Sequence, residues 1–436
     1  VNDVTLTTRI AAGTARIGVI GLGYVGLTEA VEFARAGFSV TGFDIDVERV
    51  RKVQSASSYL VDVSDADLAR EVGSGRLRAT VDSEQLSAMD AVLICVPTPL
   101  SKTKAPDLSY ILSAVEAIRQ HMRADQLIVL ESTTYPGTTS EVVLSALAST
   151  GLVVGRDFHL CFSPERINPG DSVFAVSRIP RIVGGITPAC AEAAAHLYRR
   201  IAPEVVVVSS TEAAEMVKLL ENSFRAVNIG LVNELALMCR AFGLNVWEIV
   251  DAAATKPFGF MPFYPGPGLG GHCIPVDPLY LSWKARVKGF EPRFIDLAHQ
   301  VNSAMPRTVV SIVIDALNTV RKSLNGSTVL VLGVAYKRDV NDVRESPALE
   351  IIHELEARGA HVIYHDPYVD RVTVDGRTLE STALSADVLG TADCVVITTD
   401  HQVVDYKRVV ELAQVVVDTR NVTAGLVQLR EKVVRL

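Results

Sequence analysis

The sequence predicts an α/β protein made of two Rossmann-like, doubly wound lobes joined by a long central helix, and three observations carry that expectation. From residue 16 to about residue 205, apolar strand-like runs (RIGVIG, SVTGFD, AVLICVP, LIVLEST, RIVGG, EVVVVS) alternate with helical stretches. This is the pattern of a mostly parallel sheet with helices on both faces. The alternation resumes at STVLVLGVAY (residues 327–336) and continues through a helix opened by Ser346-Pro347 and the runs HVIYHDP, DCVVITT and QVVVDTR. Between the two blocks, residues 211–242 lack proline, offer Thr211 as an N-cap and stop at Gly243, which predicts one long helix. The expected organisation is a loose leader (1–15), a first Rossmann domain (16–205), a helical middle (206–322) and a second Rossmann-like domain (323–436).

Composition narrows the class. With 436 residues, 48% hydrophobic and 21% charged, the chain has ample core material for more than one domain. Fifty acidic against 42 basic residues leave a net charge of −8, which removes the counterion-release drive behind nonspecific nucleic-acid binding. No apolar run approaches the roughly 18 residues of a membrane span, and the first 15 residues lack the order of a secretory signal. A cytoplasmic protein with no membrane partner is therefore expected. Six cysteines without CxxC pairs argue against a disulfide framework and against structural zinc, so no metal is expected.

The strand at residues 16–20 runs into Gly21-Leu22-Gly23-Tyr24-Val25-Gly26, then a helical stretch, then a strand ending in Asp44. Gly21 suits the tight turn, Gly23 lets backbone approach a pyrophosphate, Gly26 lets helix and strand pack closely, and the helix N-terminus attracts phosphate. Asp44 would accept from the ribose hydroxyls and repel a 2′-phosphate, which favours NAD over NADP. The second lobe has Gly333 after a strand but no full fingerprint, so a second dinucleotide is not expected.

One cysteine stands apart. Cys95 and Cys394 lie in apolar runs, Cys161 in HLCFSP, and Cys190 and Cys239 in helical segments, the ordinary setting of an inert buried thiol. Cys273 instead sits in the glycine-rich loop Gly266-Pro267-Gly268-Leu269-Gly270-Gly271-His272-Cys273-Ile274-Pro275-Val276-Asp277, with a carboxylate four residues later. A thiol there can act as a nucleophile.

Taken with Cys95-Val96-Pro97-Thr98-Pro99, Glu131-Ser132-Thr133, Ser163-Pro164-Glu165-Arg166, Lys218 with Asn222, and Val343-Arg344-Glu345-Ser346-Pro347, these segments occur in an order that resembles the nucleotide-sugar 6-dehydrogenases, the UDP-glucose and UDP-N-acetylhexosamine group. The resemblance spans residues 16 to about 422. It implies a four-electron oxidation of the sugar C6 alcohol, with two NAD and one water consumed and a thioester on Cys273. It further implies Asp277 to manage protons or order water, Lys218 to stabilise oxyanions, Asn222 to bond the same oxygen, and Glu165 with Thr133 to activate the hydrolytic water. Cofactor contacts would come from Gly21, Gly23, Tyr24, Val25, Gly26, Asp44, Thr98, Thr133 and Arg344. Substrate contacts would come from Glu165, Arg166, Lys218, Asn222, Gly270, His272, Lys337 and Arg420.

Each assignment has a plainer rival: Lys218 as a solvated charge, Glu165 as a turn cap, Thr133 closing a strand, His272 as a loop hydrogen-bonder, and Arg344 as a surface ion pair with Glu345 or Asp342. His272 before the cysteine, Val276 before the aspartate, Arg166-Ile167-Asn168-Pro169 and Lys256-Pro257-Phe258-Gly259-Phe260 depart from the glucose enzymes. With Tyr135-Pro136-Gly137 and Tyr280-Leu281-Ser282-Trp283-Lys284 they resemble the UDP-N-acetylglucosamine 6-dehydrogenases most, with UDP-N-acetylmannosamine, UDP-N-acetylgalactosamine and UDP-glucose as alternative substrates. A two-electron hydroxyacid-type dehydrogenase and a noncatalytic sugar-nucleotide sensor are the readings of other kinds. The expected partners are a UDP-sugar and a second copy of the chain docked on the long helix, with a role in polysaccharide synthesis.

Overall fold

Eight strands form one sheet among the described residues of the N-terminal unit: β1 (Arg16–Ile20), β2 (Ser39–Phe43), β3 (Leu77–Thr80), β4 (Ala91–Ile94), β5 (Gln126–Leu130), β6 (Phe158–Phe162), β7 (Arg181–Gly185) and β8 (Val205–Val208). The computed structural model describes residues 5–60, 62–101, 105–166, 178–271 and 273–436. The chain divides into two compact units, residues 1–221 with 279–289, and residues 222–278 with 290–436.

The sheet order is β3-β2-β1-β4-β5-β6-β7-β8, parallel except where β6 meets β7. Its first six strands have the doubly wound order in which the direction of strand addition reverses between β1 and β4, so the loops after those strands open a crevice at their C-terminal ends. Ile17, Val19 and the whole of β4 and β5 are buried, as strands covered on both faces must be. The sequence reading passed over β3 and β6, the former because LRAT is too short and polar to stand out.

Within the loose leader expected over residues 1–15, the described residues from Thr5 to Gly13 are instead ordered, and residues 1–4 lie outside the described residues. Thr5 caps a helix from Leu6 to Ala12, Gly13 closes it at a φ of 71°, and Leu6 and Ile10 are buried. Those two apolar residues lie one turn apart and so share a face. Arg200 also donates to Ile10 O at 3.0 Å and Ala11 O at 2.8 Å, holding the last turn in place.

The Thr211–Phe242 helix runs 32 residues without a break, about 48 Å at 1.5 Å per residue. Its cap is Ser210, whose Oγ accepts from Ala213 N, and Thr211 is the first helical residue. It stops where Gly243 takes a φ of 69°. The C-terminal unit has a second sheet, β9 (Thr328–Leu332), β10 (His361–His365), β13 (Cys394–Ile397), β14 (Val416–Asp418) and β15 (Val433–Arg435), after a hairpin β11 (Arg371–Val374) and β12 (Arg377–Glu380) is set aside. Its order is β10-β9-β13-β14-β15 and every pairing is parallel. The Arg293–Thr319 helix packs on it through Met305, Val309 and Val313, and carries Pro306 in its interior.

Candidate active site

The glycine turn after β1 is built for a ligand that approaches backbone. Gly21 has a φ of 91°, and a Cβ there would stand 2.6 Å from Cys95 O. A Cβ on Gly26 would overlap Gly21 O, whereas one on Gly23, the N-cap of the Tyr24–Arg35 helix, would meet nothing within 4 Å. The turn is thus closed on its inner side and open at the helix N-terminus, an arrangement suited to a pyrophosphate. Tyr24 presents a buried hydroxyl with no hydrogen bond among the described residues, and Val25 packs against the core beneath. Asp44, at the end of β2, accepts from Leu22 N at 2.7 Å and Asp46 N at 2.9 Å and pairs with Arg49 at 3.5 Å. A carboxylate has lone pairs beyond these, so Asp44 fixes the turn and still offers acceptors to a ribose. These residues fit NAD.

The neighbouring strand ends carry the polar machinery of this unit. Ser132, one residue past Glu131, accepts from Val96 N at 2.9 Å, and its hydroxyl lies 2.9 Å from Val96 O. That links the segment bearing Thr133 to the one bearing Thr98, whose carbonyl accepts from the Tyr280 hydroxyl at 2.6 Å. Thr98 and Thr133 are both half-buried. Lys218 is 6% exposed, which excludes the solvated reading, and its Nζ lies 2.5 Å from Glu165 O and 3.5 Å from Glu165 Oε2. Burial raises the pKa of Glu165, and Lys218 opposes the rise. Arg166 grips Glu221 at 2.6 Å and donates to Pro180 O at 3.0 Å.

In the C-terminal unit the cysteine loop lies along the segment after β9. Gly271 N donates to Arg344 O at 3.0 Å, and a Cβ on Gly270 or Gly271 would come within 2.6 Å or 2.9 Å of Tyr336. Nothing larger than glycine fits at either position. Gly268 rests on the gap left by Pro306, where a Cβ would be 3.4 Å from Asn302 O, the carbonyl that a proline at that position cannot bond. Gly266 N donates to Asn233 Oδ1 at 2.9 Å. Five cysteines are buried and Cys273 is half-buried. Its carbonyl accepts from Asp277 N at 2.8 Å, which starts the Asp277–Val287 helix. Asp277 is 4% exposed and its Oδ2 accepts from Asn222 Nδ2 at 2.5 Å. Lys218 and Asn222, one turn apart on the long helix, thus take different partners.

Arg420 donates to Thr398 O at 2.8 Å and reaches the loop, 2.9 Å from where a Gly266 Cβ would stand. Lys337 is half-buried in the segment after β9. Arg344 is exposed with its guanidinium on Asp342 at 2.6 Å, the plainer arrangement foreseen for it. His272 and residues 167–169 lie outside the described residues. Among the described residues no cluster of histidine, cysteine or carboxylate has the geometry of a metal site. Sequence reasoning missed Tyr336, Asn233 and Asn302, which hold the loop, because no local pattern links them to it.

The chain matches the UDP-glucose/GDP-mannose dehydrogenase family along most of its length: the NAD binding domain at residues 15–202, the central domain at 212–304 and the UDP binding domain at 330–425. It is 37% identical over 387 residues to the UDP-N-acetyl-D-mannosamine dehydrogenase of Pyrococcus horikoshii, covering 88% of this chain and 89% of that one. It is 37% identical over 356 residues to the UDP-N-acetyl-D-glucosamine 6-dehydrogenase of Pseudomonas aeruginosa, covering 81% and 83%. The solved structure of the P. horikoshii UDP-D-ManNAc dehydrogenase superposes with a TM-score of 0.86 at 36% identity, covering 93% of this chain and 95% of that one. The chain belongs to the UDP-glucose/GDP-mannose dehydrogenase family. It is an NAD-dependent nucleotide-sugar dehydrogenase.

Proposed function

We propose that this enzyme oxidises the C6 hydroxyl of a UDP-N-acetylhexosamine, UDP-N-acetylglucosamine before its mannosamine and galactosamine epimers, to the carboxylate, and that it works as a homodimer or higher homo-oligomer. The observation that carries the reading is Cys273: the half-buried thiol among five buried ones, on a glycine loop that ends at the held carboxylate Asp277. An alcohol, two NAD+ and one water become a carboxylate, two NADH and three protons. Bound NAD supplies the acceptor for the hydride lost from C6 in each oxidation.

The chain's own residues do the rest. Asp277, steadied by Asn222, receives or orders the proton of the C6 oxygen, and Lys218 stabilises negative charge that develops there. The Cys273 sulfur adds to the aldehyde carbon, and loss of the second hydride from this thiohemiacetal leaves a thioester. Glu165, with Thr133 orienting the water, takes the water proton as oxygen attacks the acyl carbon and the thiolate departs. Arg420, Lys337 and Arg344 supply cationic donors for diphosphate, a role that guanidinium geometry suits. Gly270, Arg166 and His272 complete the proposed substrate set. The test is a panel of UDP-sugars assayed with NAD+, counting NADH per acid. Two per acid, with the N-acetylglucosamine substrate turned over fastest, is expected; one per sugar with an aldehyde or ketone product sinks the reading.

A further inference from the structure

The C-terminal ends of β4, β5 and β6 hold a buried group of side chains that the proposed reaction leaves unused. Glu131, one residue past β5, is 1% exposed. One of its carboxyl oxygens receives the Tyr198 hydroxyl and the other the Cys95 thiol, at 3.6 Å. Tyr198 lies under the Arg181 guanidinium, 5.3 Å from the ring centroid, and Arg181 pairs with Glu29 on the helix that follows the glycine turn. Cys95 abuts that turn, 3.2 Å from where a Gly26 Cβ would stand. Glu165 is three residues past β6, the strand paired in parallel with β5 so that Leu130 faces Phe162. Its charge reaches both Glu131 and Cys95, and Glu165 in turn feels Lys218, with which it pairs at 3.5 Å, and Glu221 and Arg166.

Two carboxyls buried on adjacent strand ends cannot both ionise as easily as either alone, so their protons leave in two coupled steps. Lys218 beside Glu165 favours ionising that carboxyl first. Burial, opposed by Tyr198 and Cys95 and reinforced by Glu165, holds the Glu131 carboxyl above the usual range. We propose that Glu131 is a positioning residue acting through Glu165: ionisation of the inner carboxyl tunes the outer one as base for thioester hydrolysis. This rests on the reading of Glu165 as the group that takes the water proton.

The experiment is a single-turnover pH profile of acid release, with the UDP-sugar that the panel identifies, for the wild type, Glu131→Gln, Tyr198→Phe and Glu165→Gln. The wild type is expected to show two inflections, and Glu131→Gln to lose the upper one while still making two NADH per acid. Tyr198→Phe, which removes a donor to the ionised form, moves the upper inflection to higher pH and decides the matter if Glu131→Gln does not fold. Profiles of these two variants that superimpose on the wild type, with Glu165→Gln stalled at the thioester, overturn the role of Glu131 alone. If Glu165→Gln releases acid at the wild-type rate, the base assignment falls and the coupling falls with it.

Discussion

Cys273 and Lys218 show how far single residues could be judged in advance. The cysteine was legible because glycine spacing and a nearby carboxylate are local features, and its partial exposure sets it apart from the five buried thiols. Replacing it with serine is expected to stop the reaction after the first oxidation, at one NADH per sugar in a rapid-quench assay. Full turnover in that variant would favour the two-electron hydroxyacid chemistry. Lys218 was ambiguous as sequence, since most lysines are solvated, and only its 6% exposure separates it from that fate. Lys218→Met keeps the length and apolar stem and is expected to lower kcat by about 10²-fold, with a smaller change in KM. Glu131 was visible only as part of the Glu131-Ser132-Thr133 segment, and its link to Tyr198 was not legible because that hydroxyl is 67 residues away.

At the scale of elements, the glycine turn was readable in full, whereas what holds the backbone at Gly137 and Thr139 was not. Gly26→Ala drives a methyl into Gly21 O, backbone against backbone, so the turn must open. The expected result is at least about tenfold weaker NAD binding together with a lowered melting temperature, measured by fluorescence titration and thermal melts. The Thr138–Val143 π-helix is held by Glu215 of the long helix, which accepts from Gly137 N at 2.6 Å, Thr139 N at 2.8 Å and the Thr139 hydroxyl at 2.7 Å. Burial pushes the Glu215 carboxyl up to about 7 against those three donors. A folded-state value above the unfolded one means that this group's stability contribution is complete below about 4.5 and is lost as pH rises through about 7. Glu215→Gln should therefore flatten the fall in stability between pH 5 and 8 by roughly 3 kcal/mol, read from denaturant melts at each pH. A GxGxxG announces itself through spacing, whereas a carboxylate reaching across from a distant helix does not.

Over the whole molecule, alternating runs and one proline-free stretch were enough to foresee both sheets and the long helix, while the fold of residues 5–15 and the β11–β12 hairpin were not foreseen. Short, half-polar segments acquire structure only from what they pack on. The long helix also leaves Leu220, Phe224, Leu231, Leu235, Met238 and Phe242 exposed at spacings of three, four and seven, the seam of a paired helix. If this stripe is the contact between copies, Leu231→Glu with Leu235→Glu should give monomers by light scattering while each chain keeps its melting temperature. Among the described residues no helix is long and apolar enough to cross a membrane.

In the second sheet, Asp366 stands at the end of β10 as Asp44 stands at the end of β2. There its Oδ2 is taken by Val334 N at 2.7 Å, Ala335 N at 3.0 Å and His401 Nε2 at 3.0 Å, all buried. The corresponding acid of the second sheet is thus committed to partners within its own unit, two backbone amides and an imidazole. Calorimetric titration should accordingly find a single dinucleotide per polypeptide, however much is added.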